Sequence, residues 1–168
     1  MKNIKAKEKF LEIGLYIIAT PIGNLGDISE RAIFVMKELD FIICENPKHS
    51  SKLLNKFGIK KKLIALHDYN EKEVINKISK HQYNSRIGLI SDAGSPLISD
   101  PGYKLVKDYI DKKIFVTSVP GPSSVIASIQ LSGMPTNNFA FFGFLPKSNK
   151  KIDDLLENIE NTKMTSVV

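Results

Sequence analysis

The sequence has few features of a disulfide-bonded, metal-binding or membrane protein. It contains one cysteine, Cys44, which excludes an internal disulfide and a metal site built from several cysteines. Cys44 ends the apolar run FIIC, so a buried thiol is expected. No apolar run approaches the roughly 20 residues of a membrane span, and MKNIKAKEKFLEIG lacks the apolar stretch of a secretory signal. These absences predict a cytoplasmic protein with no membrane partner and no metal site.

Acidic residues are fewer than basic residues in this chain. The 168 residues carry 24 Lys and Arg against 18 Asp and Glu, a net charge of +6. The lysines are clustered at 2–9, 48–62 and 147–151. Such clusters suit a polyanionic partner such as RNA. A solvated face that reflects lysine-rich composition explains the same charge, so composition alone leaves both interpretations open.

Apolar runs alternate with amphipathic segments along the chain. The runs lie at 14–20, 40–44, 62–66, 86–90, 113–119 and 139–144. Helices are expected between them, near 28–38, 47–57, 71–81, 101–111, 122–132 and 150–160. The runs are continuous rather than alternating, which is typical of parallel strands covered on both faces. The pattern predicts an α/β fold, a doubly wound, mostly parallel sheet with helices on both faces.

Five sequence pairs indicate where helices begin. Asp27 with Glu30, and Asn70 with Glu73, have the spacing of a capping box. A capping or turn residue precedes a proline at Asn46–Pro47, Asp100–Pro101 and Gly121–Pro122. Asp100 is therefore expected to cap a helix rather than to contact a ligand.

The pattern also suggests a domain organisation. We expect a basic flexible arm over residues 1–13, an α/β domain over 14–145, and a linker helix with the start of a further domain over 146–168. The last residues, TKMTSVV, are typical of the beginning of another strand.

Three loops are unusually rich in glycine, proline, serine and aspartate. They span 19–27, 91–102 and 119–128, each after a predicted strand. In an open parallel sheet, ligands bind outside the carboxyl ends of the strands. The first loop, with the sequence TPIGNLGD, matches neither a Walker A motif nor a clean G-x-G-x-x-G, and each loop alone is explained as a well-made turn. Together at one sheet edge, they indicate a binding site.

Four segments resemble a known family. They read, in chain order, LYIIATPIGNLGDISERA, ALHDYNE, LISDAGSPLISDPGY and VPGPSSVIASIQLSGMPTNNFAFFGFLP. From about Gly14 to Lys151 the chain resembles the small-subunit ribosomal RNA ribose 2′-O-methyltransferases, a family of the tetrapyrrole methylase superfamily. The resemblance implies transfer of a methyl group from S-adenosylmethionine to the 2′-hydroxyl of a cytidine in 16S ribosomal RNA. It also implies a homodimer for the full-length family.

The resemblance implies roles for particular residues. The cofactor would be bound by Pro21, Ile22, Gly23, Asp92, Ser95, Ser123, Ser124 and Val125. Deprotonation of the ribose hydroxyl would fall to Glu45 or His49. RNA contacts are expected from Lys48, Lys52, His67 and Asp68, and Asn70 and Glu71 are further polar candidates on that side. Asn70 is also explained as a simple helix cap.

Two departures from the family bear on activity. The family usually reads Glu-Asp-Thr-Arg-His where this chain has Glu45-Asn46-Pro47-Lys48-His49, and lysine does not replace the bidentate fork of arginine. The family also continues through a second α/β domain that forms the other wall of the cofactor cleft. These departures favour one alternative, a catalytically inactive remnant with at most weak RNA binding. The superfamily offers another, methylation of a small tetrapyrrole, against which the basic surface and the segments TPIGNLGD and GFLPK count. Loss of that wall predicts an apolar patch near residues 139–145.

Overall fold

The computed structural model describes residues 11–168. Ten of the thirteen residues of the expected arm lie outside the described range. The strands are β1 (Gly14–Ile18), β2 (Phe41–Cys44), β3 (Lys62–Ala65), β4 (Arg86–Ile90), β5 (Val116–Val119), β6 (Phe139–Phe141) and β7 (Thr165–Val167). The helices are α1 (Glu30–Glu38), α2 (Pro47–Lys56), α3 (Glu71–Ile78), α4 (Tyr103–Asp111), α5 (Ser124–Leu131) and α6 (Asn149–Thr162).

The described chain divides into two compact units, one ending at Gly121 and the other spanning Pro122–Val168. The first unit contains a five-stranded sheet in the order β3-β2-β4-β1-β5, and all four pairings are parallel. The predicted α/β fold with a mostly parallel sheet is therefore confirmed. The domain boundary expected at residue 145 stays a prediction.

Each face of this sheet is covered by two helices. One buried cluster joins α1 and α2 to Ile18, Ile42 and Ile90 of the sheet. The other joins α3 and α4 to Ile43 and Leu89, which neighbour those strand positions and point to the opposite face. The strands are apolar on both sides because both sides are buried, which explains their continuous hydrophobic runs.

Helix α2 begins where the sequence predicts. Asn46 is its N-cap, and the Asn46 side chain accepts hydrogen bonds from the backbone N–H groups of Lys48 and His49 at 3.1 and 3.2 Å. Pro47 occupies the first helical turn, where its missing N–H costs nothing. The Asn-Pro pair that departs from the family pattern is thus a sound helix start.

Three other predicted helix starts are wrong. Helix α1 is capped by Ser29, whose hydroxyl accepts from Ala32 N at 3.1 Å, while Asp27 lies in a preceding 3-10 turn. Helix α4 begins after Gly102 rather than after Asp100, and α5 begins after Ser123. Each predicted cap lies two residues before the observed N-cap, because an extended or turn segment intervenes.

The second unit has a small sheet of its own. Strand β6 pairs in parallel with β7, so the run expected at 139–144 does not join the five-stranded sheet. The predicted apolar patch is present: Phe139, Phe141, Phe144 and Leu145 are 38–83% exposed. Among the described residues, no helix has both the length and the apolar character needed to cross a membrane.

Replacing Asn46 with alanine tests the α2 cap. We expect the free energy of unfolding to fall by about 1 kcal/mol, because two N–H groups of the first turn lose their acceptor. Chemical denaturation measures the change. The matched control is Asn46→Ser, which keeps a capping oxygen and should stay within a few tenths of a kcal/mol of the native value. Equal losses in both variants would contradict the capping role.

Candidate functional site

A backbone bridge joins the loops that follow β1 and β4. Thr20 N donates to the carbonyl of Gly94 at 2.8 Å, and Gly94 N donates to the carbonyl of Thr20 at 3.0 Å. The Thr20 side chain also donates to the carbonyl of Ser91 at 3.3 Å. Two of the three predicted loops are therefore held together at the carboxyl edge of the sheet.

This edge has the arrangement that creates a crevice in a parallel sheet. Strands β1 and β4 are neighbours, but the loop after β1 leads to α1 on one face and the loop after β4 leads to α4 on the other. Divergence of two neighbouring connections opens a crevice outside the strand ends. The third loop leaves β5 beside β1, where a Cβ on Gly121 would lie 3.0 Å from the Ala19 Cβ.

A cavity of about 460 Å³ opens at the bridge. One side is formed by the two loops and the other by α2. It is lined by Pro21, Ile22, Gly23, Leu25, His49, Lys52, Leu53, Lys56, Asp92 and Ala93. The cavity thus brings together four predicted cofactor residues, one predicted base and one predicted RNA contact.

Helix α2 presents a single face to this cavity. His49, Lys52, Leu53 and Lys56 follow the spacing i, i+3, i+4, i+7, which places side chains on one side of a helix. Of these, Leu53 and Lys56 were not predicted as site residues. Given a helix at 47–57 and His49 as a site residue, the helical period alone would have identified Leu53 and Lys56 as neighbours on the same face.

One oxygen of the Asp92 carboxylate, Oδ1, is buried without a hydrogen-bond partner among the described residues. A buried acceptor without a donor is costly, and a ligand N–H or O–H that reached it would remove that cost. Because Asp92 also lines the cavity, its carboxylate is a candidate acceptor for a ligand N–H or O–H group.

Asp92 also belongs to a cluster of carboxylates after β2, β3 and β4. Burial raises the pKa of Glu45, and the negative charges of Asp92, Asp100 and Asp68 raise it further. Burial likewise raises the pKa of Asp100, a hydrogen bond from Ser91 opposes this, and Asp92 adds to it. The charge of Asp100 therefore interacts with Glu45 and Asp92, an interaction that its expected role as a helix cap did not predict. Within residues 11–168, no three His, Cys, Asp or Glu side chains are placed to hold a metal ion.

The other predicted residues lie outside the cavity lining. Glu45, Lys48, His67 and Asp68 are exposed after β2 or β3, and Ser95 is half-buried in the loop after β4. The remaining predicted cofactor residues, Ser123, Ser124 and Val125, belong to the second unit, where Ser123 caps α5 by accepting from Ile126 N. Their roles stay predictions.

Glu71 and Asn70 differ from expectation. Glu71 is 4% exposed, and its carboxylate accepts from Gly102 N at 2.9 Å and pairs with Lys104 at 3.5 Å. It fixes the end of the loop after β4 rather than facing a partner. Asn70 makes no side-chain cap; its side chain accepts from His67 N at 2.8 Å and donates to the carbonyl of Ala65.

Asp92→Asn tests the coupling within the carboxylate cluster. We expect the pKa values of Glu45 and Asp100 to move down toward their ordinary range, because one repelling charge is lost. Carboxyl NMR titration measures both. The matched control, Asp111→Asn on α4, removes a carboxylate that pairs with Lys107 and should leave both values unchanged.

The same variant should change stability in a pH-dependent way. A raised carboxyl pKa favours the folded state while the group is protonated, and this contribution is lost as pH rises through the folded-state pKa. Asp92→Asn relieves part of that loss, so its free energy of unfolding near neutral pH should exceed the native value by up to about 1 kcal/mol. The gain should disappear at acid pH, and a gain that persists there would contradict the electrostatic explanation.

Comparison with known proteins assigns the chain to a family. Residues 14–168 match the model of the tetrapyrrole (corrin/porphyrin) methylases. The chain is 46% identical over 154 residues to ribosomal RNA small subunit methyltransferase I of Haemophilus influenzae, covering 91% of this chain and 54% of the relative. It is 48% identical over 158 residues to the protein of that name from Rickettsia prowazekii, covering 90% and 56%. The chain thus spans about half the length of these relatives.

Solved structures agree on the fold. Diphthine synthase superposes with a TM-score of 0.64 at 15% identity, covering 89% of this chain and 61% of its own. Uroporphyrin-III-C-methyltransferase from Thermus thermophilus superposes with a TM-score of 0.56 at 16% identity, covering 77% and 59%. At these identities the likeness extends to the fold alone.

Proposed function

This chain belongs to the tetrapyrrole (corrin/porphyrin) methylase family, and we propose that the cavity at its sheet edge is one wall of a methyl-donor site. The donor proposed is S-adenosylmethionine, which supplies an activated methyl group to a nucleophilic oxygen. The acceptor proposed is the 2′-hydroxyl of a cytidine in 16S ribosomal RNA. The resemblance at 46–48% identity to small subunit methyltransferase I supports this acceptor over a small tetrapyrrole.

The observation that carries the proposal is the Asp92 carboxylate in the lining of a cavity of ligand size, with one oxygen that has no hydrogen-bond partner among the described residues. The Asp92 carboxylate can accept a hydrogen bond from an amine or hydroxyl of the donor. The cavity volume of about 460 Å³ lies within the range of small-molecule sites. Gly23, which lacks a side chain at the cavity rim and has a φ of +143°, allows a ligand to approach its backbone.

The cavity lining combines apolar and charged side chains. Ile22, Leu25 and Leu53 supply apolar surface, which would pack against a ring and exclude water. Lys52 supplies a cation opposite the loop that carries Asp92, and this suits a phosphate of the acceptor strand. The donor and the RNA would then meet between the loops and α2.

His49 is the better placed of the two predicted bases. It lines the cavity, whereas Glu45 lies outside the lining and is coupled to Asp92 by charge. A ribose hydroxyl is a poor nucleophile, so removal of its proton during transfer would speed the reaction. We assign this proton transfer to His49, with Lys48, His67 and Asp68 as further contacts to RNA at the same edge.

The remaining parts of the proposal concern the whole protein. Small-subunit RNA as the partner, cytoplasmic location and a homodimer in the full-length family follow from the resemblance. Ser95 and the segment Ser123–Val125 are assigned to donor binding on the same ground. An inactive remnant is the competing proposal, because the altered Asn46-Pro47-Lys48 segment lacks the arginine of the family pattern.

Titration with S-adenosylmethionine by calorimetry tests donor binding by this chain. We expect measurable affinity, and an affinity at least tenfold weaker for Asp92→Ala, because a hydrogen bond to a charged acceptor is lost. The matched control is Asp111→Ala, which removes an exposed carboxylate of α4 and should bind normally. Equal affinity in native chain and Asp92→Ala would contradict the assignment of Asp92.

Mass mapping of 16S ribosomal RNA tests the acceptor. Deleting the gene should remove one cytidine 2′-O-methyl group, and the native gene should restore it. A His49→Ala gene should restore it at a rate reduced about a hundredfold or more, as expected for the loss of a general base. An unchanged RNA with altered tetrapyrrole methylation would instead favour the small-molecule acceptor.

A further inference from the structure

The segment between Glu45 and Asp68 has no carboxylate. Residues 46–67 contain six lysines, at positions 48, 52, 56, 60, 61 and 62, and no Asp or Glu. This segment forms α2, the turn that follows it and the edge strand β3. An acid-free stretch in a folded unit concentrates positive charge at one edge of the sheet.

Three hollows adjoin this segment, and each is lined by lysine: the first two adjoin α2, and the third adjoins α3 on the opposite face of β3. Lys52 and Lys56 line the cavity described above. Lys60 lines a second hollow of about 350 Å³ on the α2 side of β3. Lys62 and Lys77 line a third of about 300 Å³, at the amino end of the strands. We call these five exposed lysines the β3-edge track.

The lysines of the track differ from those of α4. On α4 and next to it, Lys104, Lys107 and Lys112 each form an ion pair with a carboxylate, at 3.5, 2.7 and 2.7 Å. None of the five lysines of the track has an ion pair in the described part of the chain. The one carboxylate in the third hollow, Asp40, is bonded to the Arg86 guanidinium and to Arg86 N.

Lys61 is excluded from the track for a structural reason. Its ammonium group donates to the carbonyl of Leu39, just after the end of α1. The other lysines of the segment have no such bond and stay exposed at one edge of the sheet. Unpaired ammonium groups spread around one edge strand suit a chain of phosphates better than a single anion.

We propose that the β3-edge track binds the RNA backbone beyond the reacting nucleotide and leads it from the cavity to the amino end of the sheet. This rests on the proposed function for the identity of the polyanion. Strands run about 3.3 Å per residue, so the four residues of β3 put the third hollow about 13 Å from the carboxyl edge. The track therefore reaches phosphates that a nucleotide bound in the cavity does not include.

The test compares two double variants with equal net charge. Lys60→Gln/Lys62→Gln removes two track lysines outside the cavity. Lys107→Gln/Lys113→Gln removes two exposed lysines at α4 as the matched control. Binding of a labelled RNA hairpin is measured as a function of salt. The track variant should bind roughly tenfold more weakly, and its salt slope should fall by about 2, one unit per phosphate contact.

The control variant should keep the native affinity and slope, and Lys60→Arg/Lys62→Arg should retain most of both. Equal losses in the two Gln variants, or no loss in the track variant, would overturn the proposal. So would an equal loss of binding to poly-glutamate, since the surface would then recognise any polyanion or an acidic protein.

Failure of the track is distinguishable from failure of the proposed function. Calorimetric affinity for S-adenosylmethionine should be the same in native chain and track variant, because neither Lys60 nor Lys62 lines the cavity. If the native chain binds no donor, the RNA salt slopes still decide whether the track exists. If the donor binds and the slopes are equal, the track alone is refuted.

Discussion

The paired hydrogen bonds between Thr20 and Gly94 are the constraint on which the site depends. They join two loops whose strands are neighbours but whose helices lie on opposite faces of the sheet. Without this bridge the two loops would keep only the hydrogen bond from the Thr20 side chain to the carbonyl of Ser91, because the parallel pairing of β1 and β4 ends before them. With it, Pro21 and Asp92 are held at the rim of one cavity, and α2 closes the other side.

Negatively and positively charged residues occupy different segments of the first unit. Carboxylates follow β2, β3 and β4 closely enough to raise the pKa values of Glu45 and Asp100, while α2 and β3 carry only cations. Mutual repulsion among carboxylates costs stability, which is common where a site is shaped for a ligand rather than for folding. The two partners proposed above would use different regions: the carboxylates would accept hydrogen bonds from a small molecule, and the lysines would attract phosphates.

Much of the fold could be predicted from the sequence, because a continuous apolar run indicates a strand that is buried on both faces of the sheet. The helix starts were less predictable, because Asp27 and Ser29, or Asp100 and Gly102, compete as caps within a few residues. Glu71 shows a different limit: its partner Gly102 is 31 residues away, and no local pattern reveals such a bond. At the site, the loops could be predicted from their turn residues. The position of Lys56 in the cavity lining could be predicted only by asking which residues share a helix face with His49.

The contacts that form the proposed wall of the methyl-donor site all lie within the first unit. The bridge, the face of α2 and the buried Asp92 oxygen involve residues 20–94, so the wall can be preorganised by the sheet alone. Affinity has a further requirement. A ligand held against one wall keeps part of its hydration, and hydrogen bonds to a carboxylate are weak while water competes for them. The geometry of the wall and the strength of binding are thus separable, and a second surface would raise affinity without altering the contacts to Asp92.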